Sequence, residues 1–158
     1  MSTLDSVLTA IQNSAVAHAI SKSNHLVAAG LQIVHVLGFV VLLASLVLIS
    51  LRVLGVAFKK QPVAQVAKDA IRLIWLGLAV ALASGTLMFV SSPKLYFFNW
   101  AFDLKMLLLI VAVVVQVTLF RKVATIETPN PIFARISVAL SLVAWFGIGL
   151  AGRAIGFI

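Results

Sequence analysis

Four long apolar runs dominate this sequence, and each is close to the length that crosses a lipid bilayer. They cover residues 26–51, 71–90, 101–120 and 132–156. A membrane-spanning helix needs about 20 mostly apolar residues, and hydrocarbon accepts only structures whose backbone hydrogen bonds are all internal. The runs therefore predict an all-α polytopic membrane protein, built as a bundle of four transmembrane helices.

The composition also favours a membrane over an aqueous environment. Of the 158 residues, 63% are hydrophobic and only 10% are charged, whereas soluble domains carry about 25% charged residues. The net charge is +8, but the basic residues lie mostly in short gaps between the apolar runs. They do not form the continuous basic face of a nucleic-acid-binding protein, so no nucleic-acid partner is predicted.

The distribution of lysine and arginine predicts the orientation of the bundle. Cytoplasmic connections of membrane proteins carry an excess of these residues. The first and third connections, with the helix ends beside them, hold eight, and the opposite side holds four. The two sets are Arg52, Lys59, Lys60, Lys68, Arg72, Arg121, Lys122 and Arg135, against Lys22, Lys94, Lys105 and Arg153. Both termini are therefore predicted on the outer, non-cytoplasmic side.

The first 24 residues have a different character from the 25–158 bundle. Apolar side chains recur at helical spacing between Leu4 and Ile20, with serine, asparagine and glutamine opposite. This pattern predicts a short amphipathic helix that lies on the outer membrane surface. Asp5 and the lack of a basic start distinguish the segment from a secretory signal.

Capping and small residues indicate where helices begin and how they pack. Asn130 before a proline, and Asn99 before the third run, are suited to cap helix starts. Pro62 predicts a helix that begins well ahead of the second apolar run.

Within that run, small residues recur every four positions from Gly77 to Gly85, which predicts close approach of a neighbouring helix.

Several ionisable residues occur inside the runs, near one level of the outer half. His35 lies about 15 Å along its helix from His25, at 1.5 Å per residue. Lys105 comes early in the third run, and Arg153 comes late in the fourth. Such groups are costly in hydrocarbon, so their convergence is the strongest functional signal in the sequence.

A neutral imidazole at this depth is a good ligand for haem iron or copper. We therefore predict haem b with His35 as an axial ligand, and Lys105 and Arg153 near the propionates. The second axial ligand stays open between Met88, a second copy's His35 and none. Room for the macrocycle is predicted at Gly38, Gly77 and Gly85. Copper is the alternative metal, and His25 and His18 are further candidate metal ligands. The predicted function is electron transfer with periplasmic or membrane partners, in a homo-oligomer or a larger redox complex.

Other interpretations of the same residues are open. A lone intramembrane histidine often only hydrogen-bonds a neighbouring helix, and Lys105 and Arg153 can extend to the headgroups. Gln116 is expected to form an interhelical hydrogen bond. These interpretations describe a cofactor-free accessory subunit of a membrane complex, and a metal or small-solute transporter is a third possibility. No P-loop, dinucleotide fingerprint, paired carboxylates or nucleophile–base set occurs, so no autonomous catalytic centre is predicted.

Four segments resemble a family of small, uncharacterised, four-span proteins of the bacterial inner membrane. They are His35-Val36-Leu37-Gly38, Leu51-Arg52-Val53-Leu54-Gly55, Asn99-Trp100-Ala101-Phe102 with Lys105, and Gly152-Arg153-Ala154-Ile155-Gly156-Phe157. In outline the chain is also similar to the transmembrane part of copper-resistance D-type proteins. The resemblance implies the four-helix bundle, the bacterial inner membrane and a role for His35, Lys105 and Arg153.

Overall fold

The computed structural model describes residues 3–22, 25–120, 122 and 130–157, and every regular element within them is helical. The elements are α1 (Thr3–Gln12), α2 (Ala15–Lys22), α3 (His25–Val53), α4 (Val63–Ser91), α5 (Pro93–Phe97), α6 (Trp100–Val115), a π-helical turn (Gln116–Phe120) and α7 (Pro131–Ala154). Four helical stretches are long and apolar enough to cross a membrane: Leu26–Val53, Gln65–Ser91, Trp100–Thr118 and Ile132–Ala154. The predicted fold class is confirmed.

The predicted helix starts are confirmed by their hydrogen bonds. The Asn99 side chain accepts from the Ala101 N–H at 3.0 Å, and the Asn130 side chain accepts from the Ile132 N–H at 3.0 Å. Helix α4 begins directly after Pro62. We call the end of the bundle where α3 begins and α7 ends the terminal end, and the end that carries residues 54–62 the loop end. Arg121, one of the eight residues in the charge count, lies outside the described residues.

The four long helices form two antiparallel pairs. Helix α3 packs along α4, helix α6 packs along α7, and α3 contacts α7 to join the pairs. In the described part of the chain, α4 and α6 make no close backbone contact. The backbone contacts therefore follow the order α4, α3, α7, α6.

The core lies where the two pairs meet. Its fully buried side chains include Leu42 and Leu46 on α3, Ile74 on α4 and Trp145 on α7. As predicted, Gln116 forms an interhelical bond, in which the buried Ser141 hydroxyl donates to Oε1 at 3.1 Å. Apolar side chains on the outer faces of the same helices remain exposed, as expected for surfaces that lipid covers.

Helices α3 and α4 are in close contact at two glycines, Gly38 and Gly77. A Cβ atom on Gly77 would lie 2.5 Å from the Gly38 carbonyl oxygen and 2.8 Å from the Leu42 nitrogen. The small-residue stripe therefore performs the packing role predicted for it. Because each glycine is pressed against backbone of the other helix, Gly38 and Gly77 offer no room for a macrocycle, and that part of the haem prediction is wrong.

The amphipathic N-terminal segment is divided into two helices, whereas the sequence predicted one. The chain bends at Ser14, whose hydroxyl accepts from the Ala17 N–H at 3.3 Å and so caps the second helix. Leu8 and Ala17 are buried, because α1 packs on α5 and α2 packs on α4. The segment is thus attached to the terminal end of the bundle through specific side chains.

Candidate functional site

The ring nitrogen Nδ1 of His35 contacts polar groups of α4. This atom lies 2.8 Å from the Ala81 carbonyl oxygen and 3.3 Å from Ser84 Oγ. The Ser84 hydroxyl itself donates to the Val80 carbonyl at 2.7 Å. A carbonyl oxygen only accepts, so the Ala81 contact requires a proton on Nδ1. In the neutral ring, Nε2 is then the nitrogen with the free lone pair.

That lone pair faces Lys105, which reaches across from α6. The Lys105 Nζ lies 3.3 Å from His35 Nε2, and an ammonium can only donate. Both ring contacts therefore agree on one tautomer. Space for the lysine comes from α7, where a Cβ atom on Gly152 would lie 3.4 Å from Nζ. The His35–Lys105 pair thus links α3 to α6 across the bundle.

Gly85 lies beside the imidazole of His35. A Cβ atom at this position would lie 3.0 Å from His35 Cε1 and 3.2 Å from Nδ1. Those distances are shorter than ordinary van der Waals contacts, so an alanine would press on the ring. The absence of a side chain at Gly85 therefore sets the position of the imidazole relative to α4.

The other predicted site residues have no described contact with His35 or Lys105. Arg153 is exposed, and its guanidinium lies 4.5 Å from the ring centre of Phe157. Met88 is partly buried on α4 but is not among the described partners of His35. His18 has an exposed side chain on α2. His25 is the first residue of α3, and its side chain lies outside the described ones.

The Lys105 ammonium contacts the neutral imidazole of His35. Among the described residues, no carboxylate pairs with it. An ammonium inside a membrane bundle normally pairs with an opposite charge or faces a water-filled space. Within the same part of the chain, no group of three or more His, Cys, Asp or Glu could hold a metal ion. The site therefore combines one lone-pair nitrogen with one cation that an anionic group could approach.

Three aromatic rings lie one turn closer to the terminal end and bridge α4 to α6. Phe89 stacks on Phe102 with 5.6 Å between ring centres, and Tyr96 packs against both, at 6.3 and 5.7 Å. Burial raises the pKa of the Tyr96 phenol. Helices α4 and α6 therefore meet through side chains rather than through backbone at this level.

Sequence reasoning identified His35, Lys105 and Gly85 but missed two of the groups that position them. The Ala81 carbonyl is a backbone group, so no side-chain pattern could reveal it. Gly152 could have been inferred from helical spacing only if the α6–α7 pairing had been known.

Comparison with known proteins gives a family and no activity. No curated protein and no solved structure matches the chain significantly. A family model described as a family of unknown function matches residues 11–158, which include all four long helices and the His35–Lys105 pair. The predicted resemblance to an uncharacterised family is confirmed to that extent, and the chain belongs to this family of unknown function, DUF6644.

Proposed function

We propose that this protein binds haem b through His35 Nε2 in the bacterial inner membrane and transfers electrons to or from periplasmic or membrane partners. One observation carries the proposal: His35 donates from Nδ1 to the Ala81 carbonyl. Histidine ligands of metals almost always donate their second ring N–H in this way, which fixes the tautomer and aims the other nitrogen at the metal. When bound, haem iron supplies one-electron redox chemistry.

The residues around His35 fit part of what a haem requires. Lys105 occupies the position next to Nε2, so it must move away before an iron can bind there. Its ammonium is then available to pair with a propionate. Helices α4 and α6 have no close backbone contact among the described residues, which favours entry of a flat group between them, whereas the space at Gly85 is occupied by the His35 ring. Met88 or His35 of a second copy would supply any second protein ligand, and the absence of a second ligand is the remaining alternative.

We further propose that the terminal end faces the periplasm. The argument is the excess of lysine and arginine at the loop end. In this orientation the His35–Lys105 pair lies in the periplasmic half of the bundle, and electron exchange would take place with partners on that side. Copper is the alternative metal, with His18 and His25 as the nearest candidates in sequence for additional ligands.

The second candidate function is a cofactor-free accessory subunit of a membrane complex. It is favoured by the fact that both ring nitrogens of His35 have partners within the chain itself. Histidine and lysine would then serve only to join α3, α4 and α6. A transporter of metals or small solutes has no comparable observation in its favour.

The visible absorption spectrum distinguishes these functions. Wild-type protein, His35→Ala and His18→Ala are purified in detergent from cells supplied with aminolevulinate, a haem precursor. We expect a Soret band in the wild type and in His18→Ala, and its loss in His35→Ala. A colourless wild type in a folded preparation would contradict haem binding and leave the accessory subunit as the better proposal. Copper retained by the colourless protein, and lost in His35→Ala, would indicate the alternative metal.

A further inference from the structure

A shallow apolar groove runs along α3 in the half of the bundle next to the loop end. It has a volume of about 530 Å³ and is lined by α3 residues between Val40 and Leu51 and by Phe58. Val40, Ala44 and Leu48 are exposed along it. This groove shares no residue with the His35–Lys105 pair and lies on the loop-end side of His35 along α3, beginning at Val40.

The length of the groove matches one leaflet of a bilayer. From Val40 to Leu51 the helix rises about 16 Å at 1.5 Å per residue. The hydrocarbon core of a bilayer is about 30 Å thick, so one leaflet contributes about half of that. The groove therefore extends from the middle of the bundle to the level where headgroups lie at the loop end.

Phe58 forms the wall of the groove at the loop end, and its backbone is strained. Its φ is +56°, a left-handed conformation that bulky side chains rarely adopt. The turn begins at Gly55, where φ is +69°. Arg52 Nε donates to the Gln61 carbonyl at 2.7 Å and ties the end of the loop back to α3. Strained residues of this kind persist where the surrounding structure holds them, often at ligand sites.

The groove ends among positive charges. Lys59 and Lys60 follow Phe58 directly, and both are exposed. Helix α4 begins at Val63, and no side chain caps its first amide groups. Its positive dipole end therefore adds to the cationic character of the loop. An apolar slot of one leaflet's length thus opens into a cluster of cations.

We propose that this groove binds one acyl chain of an anionic phospholipid, with the lipid phosphate at Lys59 and Lys60. Basic clusters at the membrane surface recognise anionic headgroups, and the aliphatic wall and Phe58 suit the chain. A second copy of the protein is a poorer occupant. Two copies in the same membrane, related by a two-fold axis across this face, would bring both pairs of lysines together, where they would repel. The proposal is independent of haem binding.

Native mass spectrometry of the detergent-purified protein tests the proposal. The protein is mixed with equal amounts of dioleoyl phosphatidylglycerol and dioleoyl phosphatidylcholine. We expect the anionic lipid to be retained over the neutral lipid by roughly tenfold, since each lysine near the surface favours anionic lipid. Ala44→Trp, which fills the groove from an exposed position, should remove the adduct. Lys59→Gln/Lys60→Gln should keep weak binding but abolish the preference.

Two matched variants serve as controls. Ala83→Trp places the same ring at an exposed alanine of α4, and Lys94→Gln removes an exposed lysine at the opposite end of the bundle; both should bind lipid as the wild type does. Equal retention of the two lipids by the wild type would overturn the proposal. So would normal lipid binding by Ala44→Trp. A change of oligomeric state in Ala44→Trp, measured by light scattering, would overturn it in favour of an interface between copies.

Discussion

At the scale of single residues, His35 and Lys105 are two polar side chains inside the bundle that contact each other. Polar groups within a membrane bundle are costly unless they have partners. His35 satisfies this requirement with the Ala81 carbonyl on one side and Lys105 on the other. Lys105, however, has no carboxylate among its described partners. The two contacts therefore fix the position of the imidazole. The charge of Lys105 remains available to an anionic group.

Tyr96 gives a prediction that concerns a single side chain outside the long helices. It is the one tyrosine of the chain, so its phenol can be titrated by ultraviolet absorbance without interference from other tyrosines. Because burial against Phe89 and Phe102 disfavours the charged phenolate, the pKa of Tyr96 is raised. We expect the midpoint of the titration above the ordinary value of about 10.

The same shift makes stability depend on pH in a defined direction. Above about pH 10 the unfolded chain loses the phenol proton before the folded one. The free energy of unfolding should therefore fall as the pH rises through that value, and Tyr96→Phe should lack this part of the decrease. A titration midpoint at or below the ordinary value would contradict the burial of the phenol.

At the scale of elements, the contact between α3 and α4 is the most extensive between the described helices. It depends on Gly77, whose added Cβ would meet backbone atoms of α3 rather than a movable side chain. Gly77→Ala should lower the free energy of unfolding by about 1–3 kcal/mol, the usual cost of overpacking. Unfolding in detergent titrated with sodium dodecyl sulfate, followed by circular dichroism, measures the change.

Gly30 provides the matched control for this prediction. It is also a glycine within a long helix, but a Cβ atom there would have nothing within 4 Å. Gly30→Ala should leave stability unchanged or raise it by up to about 1 kcal/mol, because alanine is the better helix former. Equal effects of the two substitutions would show that helix propensity, and not the approach of α3 to α4, determines the result.

At the scale of the whole molecule, the two helix pairs are joined mainly through α3 and α7. Helices α4 and α6 meet through side chains at the terminal end rather than through backbone contact. The His35–Lys105 pair crosses the bundle just below those rings. The contact between α4 and α6 therefore depends on side chains, whereas the core around Trp145 depends on the packing of α3 against α7.

Orientation in the membrane is also a property of the whole molecule, and the absence of native cysteine makes it easy to test. Single cysteines are introduced as Lys60→Cys at the loop end and Lys94→Cys at the terminal end, both at exposed positions. In spheroplasts, a membrane-impermeant maleimide should label the Lys94→Cys protein. The Lys60→Cys protein should be labelled only after permeabilisation. The reverse pattern would show that the proposed orientation is inverted.

The sequence alone determined the membrane class, the four long helices and several of their starting residues. These features depend on local properties, because apolar length is what hydrocarbon demands and a cap such as Asn99 acts on amide groups within its own helix. The division of the N-terminal segment at Ser14 was missed, since the apolar spacing continues across that residue while the capping hydroxyl interrupts the helix.

The tertiary structure alone decided which of the ionisable residues meet. The sequence placed His35, Lys105 and Arg153 in one predicted site, because all three lie in the outer half of the bundle at converging depths. Depth does not specify rotation about the helix axis, and the packing of α3 on α4 and of α6 on α7 fixes that rotation. It turns His35 and Lys105 towards each other and leaves Arg153 on the surface. The same packing places atoms of the opposite helix in the space beside Gly38 and Gly77. The space beside Gly85 is occupied by the His35 imidazole.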